Sequence, residues 1–220
     1  MKYTKEEARR IVLNCAKRYK QKLENKKLLI IYRERRDNKI YFLEVVFHGR
    51  NYQHLTGLEL IDKNGYVLTH QSKNFYRKCI ENKLSADEIQ FKKDGTTFLK
   101  LQALPSLTDV TKITKITGDY NGSRPYLCVD KVIGGVNFCL GLDKEDDTYV
   151  PSSALLEDIK KISDSPSQVL AIFEKGLNDP IYKDIKHVAK GLNLKNIKLP
   201  DKINKMISFE NYVQKREMKI

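Results

Sequence analysis

The residue best suited to proton transfer is His54, within the segment YQHLTGL at residues 52–58. A histidine near a chain reversal can be held by packing while its imidazole faces a cleft. Its pKa is close to neutrality, so it can take a proton from a ribose 2′-hydroxyl or give one to a leaving oxygen. Thr56 could hydrogen-bond a phosphate. The residues alone leave a second interpretation open, in which Thr56 is a helix cap and His54 is structural.

A second candidate is the corner YVPSS, which contains Tyr149, Ser152 and Ser153. We expect a strand to end there and a helix to begin, over residues 153–162. The free backbone N–H groups of a helix N-terminus bind phosphate readily, and the serine hydroxyls would lie beside them. Serine is also a preferred helix cap, so a purely structural role stays open.

Positive charge near these residues would serve phosphate chemistry. Lys100 lies among apolar residues in FLKLQALPSL, and Lys175 follows the apolar run VLAIF. Either ammonium could offset the negative charge that develops on a pentavalent phosphate, although a lysine is by default solvated. Tyr76, in FYRKC, could donate from its phenol but fits a core position equally well.

Other kinds of site find no support in the sequence. The four histidines and four cysteines show neither HxxxH nor CxxC spacing, so we predict no metal site. The P-loop, GxGxxG and GxSxG patterns are absent. We therefore expect no cofactor, and any chemistry would depend on side chains alone.

Composition limits the classes of binding partner and the cellular compartment that we expect. The 41 Lys and Arg against 28 Asp and Glu give 220 residues a formal net charge of +13. This excess favours nucleic acid as partner, although lysines can also serve solubility alone. No apolar run approaches the roughly 20 residues of a membrane span, and no apolar signal region is visible at the start, so we expect no membrane partner. The cysteines, Cys15, Cys79, Cys128 and Cys139, are far apart, which favours reduced core residues in a cytoplasmic protein.

Apolar periodicity predicts the elements that would position the candidate residues. A helix is expected over residues 4–25, with a Thr-x-x-Glu capping box that starts at Thr4, and a hairpin over residues 28–47 follows it. Short helices are then predicted over residues 72–82, 84–89 and 97–104.

From residue 112 the apolar period becomes two, which predicts a strand meander with a tight turn at Gly134-Gly135. The helix over residues 153–162 and a last buried strand over 169–173 would follow. The pattern of residues 181–192 predicts an amphipathic helix. We expect the remainder of the chain to be a loosely docked arm. This order predicts an α+β fold in which the N-terminal helix and a helical block pack on a curved, mainly antiparallel sheet.

A resemblance to a known family is carried by segments in the order YQHLTGL, NFYRKC, FLKLQALPSL, LCVDKVIGGVNFCLGLD, YVPSSALLEDI and VLAIFEK. Together they resemble a phage-associated Barnase–EndoU–Colicin–RelE-like nuclease domain of the fourth subgroup, over about residues 25–185. HLTGL followed by YVPSSALLEDI is the specific part. The resemblance implies a small metal-independent endoribonuclease with helices on a curved antiparallel sheet. It points to His54, Thr56, Ser152, Tyr149, Lys100, Tyr76 and Lys175.

We therefore expect three parts: a basic helix over residues 1–24, the nuclease-like domain over 25–185 and a basic C-terminal extension over 186–220. The leading hypothesis is a toxin or effector of phage or mobile-element origin that cleaves RNA by 2′-hydroxyl attack. His54 would be the general acid or base, Thr56 and Ser152 would position the phosphate, and Lys100 or Lys175 would stabilise charge. An antitoxin or immunity protein would be a further partner.

Two other classes of function remain open. The first is a non-catalytic module that binds nucleic acid or protein on the same fold, which the basic ends would suit. The second is transfer of ADP-ribose from NAD, which has less support because no ExE pair lies near the final strand.

Overall fold

The computed structural model describes residues 3–124 and 126–209 of the chain. Its helices and strands follow one another in a mixed α+β order. Within the described residues the helices are α1 (Lys5–Lys22), α2 (Tyr52–Thr56), α3 (Ser72–Ile80), α4 (Thr96–Ala103), α5 (Val110–Ile113), α6 (Ile159–Ile162) and α7 (Asp201–Asn204). The strands are β1 (Lys26–Arg33), β2 (Ile40–Phe47), β3 (Leu58–Leu60), β4 (Ile89–Phe91), β5 (Ile116–Tyr120), β6 (Lys131–Gly134), β7 (Cys139–Glu145), β8 (Thr148–Leu155), β9 (Ser163–Gly176) and β10 (Asp184–Val188).

The main sheet is antiparallel for most of its length and closes into a barrel. Its strand order is β1-β2-β8-β7-β6-β5-β9, and β9 pairs again with β1. Strands β2 and β8 pair in parallel at one ladder position, where Val45 lies opposite Tyr149. Strand β10 extends the sheet on the edge of β9. The predicted α+β class is therefore confirmed, whereas the sheet closes into a barrel, which the sequence pattern did not indicate.

Helix α1 begins with the predicted capping box. The backbone N–H of Glu7 donates to Thr4 Oγ1 at 3.2 Å, and the N–H of Thr4 donates to the Glu7 carboxylate at 2.8 Å. The apolar face of α1, with Ala8, Val12 and Tyr19, is buried in the same core as β1, β2 and helices α2 to α4. The division expected after residue 24 therefore does not separate two cores.

Residues 153–162 are not the predicted helix. Strand β8 continues to Leu155, because Cys139 to Glu145 of β7 offer it a complete antiparallel partner. Helix α6 has only four residues, and its cap is Asp158, whose side chain accepts from the Lys160 N–H. The phosphate cradle expected at Ser152 or Ser153 on a helix N-terminus is therefore absent.

Two other segments that were predicted as helices have a different conformation in the structure. Residues 84–89 form turns that lead into β4, with the Leu84 carbonyl accepting from Arg9 Nε at 2.6 Å. Residues 181–192 contain strand β10, whose backbone pairs with β9. Contacts with other parts of the chain, an arginine side chain in the first segment and strand β9 in the second, hold these backbones, and a short apolar pattern fits either conformation.

The segment predicted as a loosely docked arm is packed against the barrel. It forms a second apolar core with the outward faces of β1 and β9, which consists of Leu29, Ile31, Ala171, Phe173, Tyr182, Leu194, Leu199, Ile203 and Ile207. Residues 210–220, the end of that predicted arm, lie outside the described residues.

Two further expectations concern the cysteines and membranes. All four cysteines are free, and Cys15, Cys79 and Cys139 are buried as predicted, whereas Cys128 is exposed. Among the described helices, none combines the length and apolar character needed to cross a bilayer.

Candidate active site

His54 lies on α2, a helix of five residues that Gly57 ends in the left-handed conformation at φ +68°. His54 is exposed at the surface although neighbouring atoms partly shield its imidazole from water, whereas Thr56 is completely buried. The Thr56 hydroxyl donates to the Gln53 carbonyl at 2.8 Å and accepts from the Leu58 N–H at 3.0 Å. Thr56 therefore holds the end of the helix, and its hydroxyl does not face outward where a phosphate would bind.

Helix α4 fixes the C-terminal end of α2. Thr97 Oγ1 donates to the Gly57 carbonyl at 2.5 Å, and Lys100 Nζ donates to the His54 carbonyl at 2.8 Å. Thr97 and Lys100 are three residues apart and share one helix face. They satisfy carbonyls that a helix C-terminus leaves without partners. The backbone of the segment HLTG, residues 54–57, is thus bound to Thr97 and Lys100 of α4.

Strand β8 contributes a β-bulge at Ser152. Leu142 pairs with Pro151 and Gly141 pairs with Ser153, so Ser152 is the extra residue. Its carbonyl accepts from Lys100 Nζ at 3.3 Å, and its hydroxyl donates to Asp143 Oδ1 at 3.1 Å. The bulge turns both polar groups of Ser152 out of the strand ladder.

These contacts define a group that we call the His54 cluster: His54, Lys100, Asp143 and Ser152. Partial burial and the positive charges of Lys92 and Lys100 lower the pKa of His54 below its ordinary value of 6.5, while the Asp143 carboxylate opposes this shift. Burial, reinforced by Lys92, lowers the pKa of Lys100 to about 8.

Burial raises the pKa of Asp143, an effect that the hydrogen bond from Ser152 counteracts and the charge of Asp130 reinforces. Shifted pKa values on several neighbouring groups are characteristic of functional sites.

The His54 cluster can perform acid–base chemistry on an anionic substrate. At neutral pH the imidazole of His54 is mainly uncharged and can accept a proton, and the ammonium of Lys100 is mainly charged. A charged group held in place by two backbone carbonyls is already oriented for charge that develops in a transition state. Asp143 supplies a negative charge that stabilises an imidazolium.

The structure brings three of the seven predicted site residues together: His54, Lys100 and Ser152. Tyr149 is on the same strand as Ser152 and is half-buried. Burial raises the pKa of its phenol, and the positive charge of Lys131 opposes this increase. Thr56 supports the cluster from inside.

Tyr76 and Lys175 lie in other environments. The Tyr76 ring packs 5.8 Å from the Tyr19 ring and 5.4 Å from the Tyr52 ring, and burial raises its pKa. Lys175 Nζ is 3.4 Å from the Pro180 carbonyl and 4.6 Å from the centre of the Tyr182 ring, next to the second core. Their contacts are those of a core aromatic residue and a surface lysine.

Asp143 is the residue that sequence reasoning missed. A carboxylate that ends the apolar run VNFCLGL, on a strand directly before YVPSS, was the available signal. Its position next to Ser152 depends on the pairing of β7 with β8, which the sequence pattern did not specify. As for metals, the part of the chain that the structure describes contains no group of three or more His, Cys, Asp or Glu side chains that could hold an ion.

A family model described as phage-Barnase-EndoU-ColicinE5/D-RelE like nuclease 4 matches residues 11–191. The chain belongs to this nuclease family. No curated protein and no solved structure matches the chain. The family match starts inside α1 and includes every residue of the His54 cluster, so it extends beyond the expected range of residues 25–185 at both ends.

Proposed function

We propose that the protein is an endoribonuclease that cleaves RNA through attack of a ribose 2′-hydroxyl on the adjacent phosphate. The observation that carries the proposal is the His54 cluster: an exposed imidazole with a lowered pKa, a buried ammonium and a carboxylate, in a member of a nuclease family. The net charge of +13 supports a polyanionic substrate.

In this mechanism His54 accepts the proton of the attacking 2′-hydroxyl. The negative charge of Asp143 stabilises the imidazolium that results, and the charge of Lys100 offsets the charge that accumulates on the phosphate. The imidazolium can return its proton to the leaving 5′-oxygen, directly or through water. The products are a 2′,3′-cyclic phosphate and a free 5′-hydroxyl.

Thr56 and Ser152 act as positioning residues in this proposal. The Thr56 hydroxyl fixes the end of α2 and hence the backbone of His54. Ser152 holds the Asp143 carboxylate with its hydroxyl and Lys100 with its carbonyl. These roles replace the direct phosphate contacts that the sequence suggested for both residues.

The test is cleavage of a defined RNA by purified protein in the presence of EDTA. Replacing His54 by Ala should lower the rate by about 10²–10⁴-fold, the usual contribution of a positioned general base. His70→Ala, which changes an exposed histidine in a loop, is the matched control and should cleave normally. DNA of the same sequence should stay intact because it lacks the 2′-hydroxyl. Full activity of His54→Ala, or no cleavage by the unaltered protein, would overturn the proposal.

We further propose that the nuclease acts as a toxin or effector on cytoplasmic RNA. Expression of the unaltered chain in a bacterial host should arrest growth and fragment RNA, whereas His54→Ala should do neither. If the protein instead binds RNA tightly and in a salt-sensitive way but never cleaves it, it is a binding module on this fold.

A further inference from the structure

A groove next to the His54 cluster has an exposed aromatic ring on its wall. It has a volume of about 660 Å³. Its lining residues are Asp94, Gly95, Thr96, Leu99, Arg124, Tyr126 and Glu157. Tyr126 is 74% exposed and Leu99 is 39% exposed. The Arg124 guanidinium carbon lies 5.8 Å from the centre of the Tyr126 ring. The groove therefore contains an exposed aromatic ring with a cation over one of its faces.

Helix α4 joins this groove to the His54 cluster. Thr96 and Leu99 line the groove, and Lys100 is the next residue of the same helix. The charge of Asp94 also reaches Lys100 and opposes the lowering of its pKa. A polynucleotide whose phosphate lies at Lys100 would thus have a neighbouring nucleotide at the groove.

The polar groups of the groove suit a nucleobase better than a phosphate. Asp94 Oδ1 already accepts from the Thr96 N–H at 2.9 Å and from the Thr96 hydroxyl at 2.8 Å. Glu157 adds a carboxylate that can accept from the amino group of a base. Aromatic rings and guanidinium groups both stack on bases, and every base has a face that can stack.

We propose that Tyr126 is a base-stacking residue and that the substrate of the His54 cluster is single-stranded RNA. The inference rests on the proposed function and adds its substrate class. The base would stack on Tyr126, with Leu99 as apolar wall and Arg124 near the adjoining phosphate. A base within a duplex is already stacked and paired, so it cannot enter the groove without leaving the helix.

The chain contains no Trp, which allows a direct test of stacking. Tyr126→Trp in the His54→Ala background places a single tryptophan in the groove, whose emission can be excited selectively over that of the tyrosines, on a protein that should bind without cleaving. Oligoadenylate should quench its emission, and the same strand annealed to oligouridylate should quench it much less. Tyr66→Trp, at a Tyr that is 71% exposed on a different loop, is the matched control and should respond to neither. Equal quenching at positions 66 and 126, or none at 126, would overturn the proposal.

Cleavage kinetics give a second, independent readout. Tyr126→Ala should raise KM for single-stranded RNA by roughly tenfold, the size expected from the loss of one base stack, with a smaller change in kcat. Tyr126→Phe keeps the ring and should restore the original KM. If the unaltered protein does not cleave but Tyr126→Trp is quenched, the proposed function fails and the binding site stands. If the protein cleaves and Tyr126→Ala has no effect on KM, the stacking site is wrong.

Discussion

His54 and Lys100 titrate on opposite sides of neutral pH, and this determines the expected pH dependence of cleavage. Burial and the neighbouring lysines lower the pKa of His54 below 6.5, and burial with Lys92 lowers that of Lys100 to about 8. Activity requires an uncharged imidazole and a charged ammonium. We expect kcat/KM to rise with pH through the pKa of His54, reach a maximum near neutrality and fall through the pKa of Lys100. A rate that keeps rising far above the pKa of Lys100 would contradict a role for its charge.

A substitution at Asp143 is an independent test of the same site. The negative charge of its carboxylate raises the pKa of His54, so Asp143→Asn should move the acid limb of the pH profile to lower pH. The imidazolium would also lose its stabilising charge, so the maximal rate should fall. Asn can still accept a hydrogen bond from Ser152, which keeps the substitution conservative. Asp147→Asn, in the exposed turn between β7 and β8, should leave the profile unchanged.

At the scale of elements, the geometry of the candidate active site depends on the contact between α2 and α4. Gly57 has φ +68°, and a Cβ there would lie 2.8 Å from Thr97 Cα. Gly57→Ala should therefore lower the free energy of unfolding by more than the 1–2 kcal/mol that a left-handed residue costs on its own, roughly 2–4 kcal/mol with the steric overlap. It should also reduce cleavage, because it pushes His54 away from Lys100. Urea denaturation and an RNA cleavage assay measure the two effects.

Gly65 provides the comparison that separates backbone strain from the helix contact. It has φ +83°, and a Cβ there would meet nothing within 4 Å. Gly65→Ala should cost only the conformational penalty of about 1–2 kcal/mol, and should leave cleavage unchanged. If both variants lose the same stability, the close approach of α2 to α4 contributes nothing.

The sequence predicted those elements whose signals are local. The capping box at Thr4, the hairpin of β1 and β2, the apolar face of α3 and the helix α4 are encoded within a few residues of each other. The region around Ser152 was predicted wrongly because its strand conformation depends on pairing with β7, and a serine that follows proline also resembles a helix cap. His54 and Lys100 could be identified from the chemistry of their side chains. Asp143 could be identified only from the register in which β7 pairs with β8.

At the scale of the whole molecule, the barrel depends on contacts between distant residues, and so does the segment of residues 182–209 that packs on its outer face, which we call the C-terminal cover. Strand β9 closes the barrel by pairing with β1, and residues far along the chain reach the outer face of both strands. Polar contacts fix the cover: the Tyr182 hydroxyl donates to Glu44 Oε1 at 2.5 Å, and Lys186 Nζ lies 3.1 Å from Glu174 Oε1. Periodicity within short windows cannot reveal such pairs, so residues 181–192 were predicted as a helix and the rest of the cover as a loose arm.

Ile203 tests whether the cover is part of the folded domain. Its side chain is fully buried against the outer wall of the barrel, and Ile203→Ala would remove most of that packing. We expect a loss of about 2–5 kcal/mol in the free energy of unfolding, the usual cost of such a truncation in a core. Val136→Ala, at a position that is 61% exposed in the turn between β6 and β7, should change stability by much less.

The same variant also separates stability from chemistry. The His54 cluster has its contacts in α2, α4, β7 and β8, and Ile203 packs on β1 and β9. Ile203→Ala should therefore keep its cleavage rate at temperatures where it stays folded, while its thermal midpoint falls. An unchanged midpoint would show that the segment is an appendage, as its basic, polar sequence had suggested. A lower midpoint with normal cleavage makes residues 194–209 a structural wall of the nuclease fold.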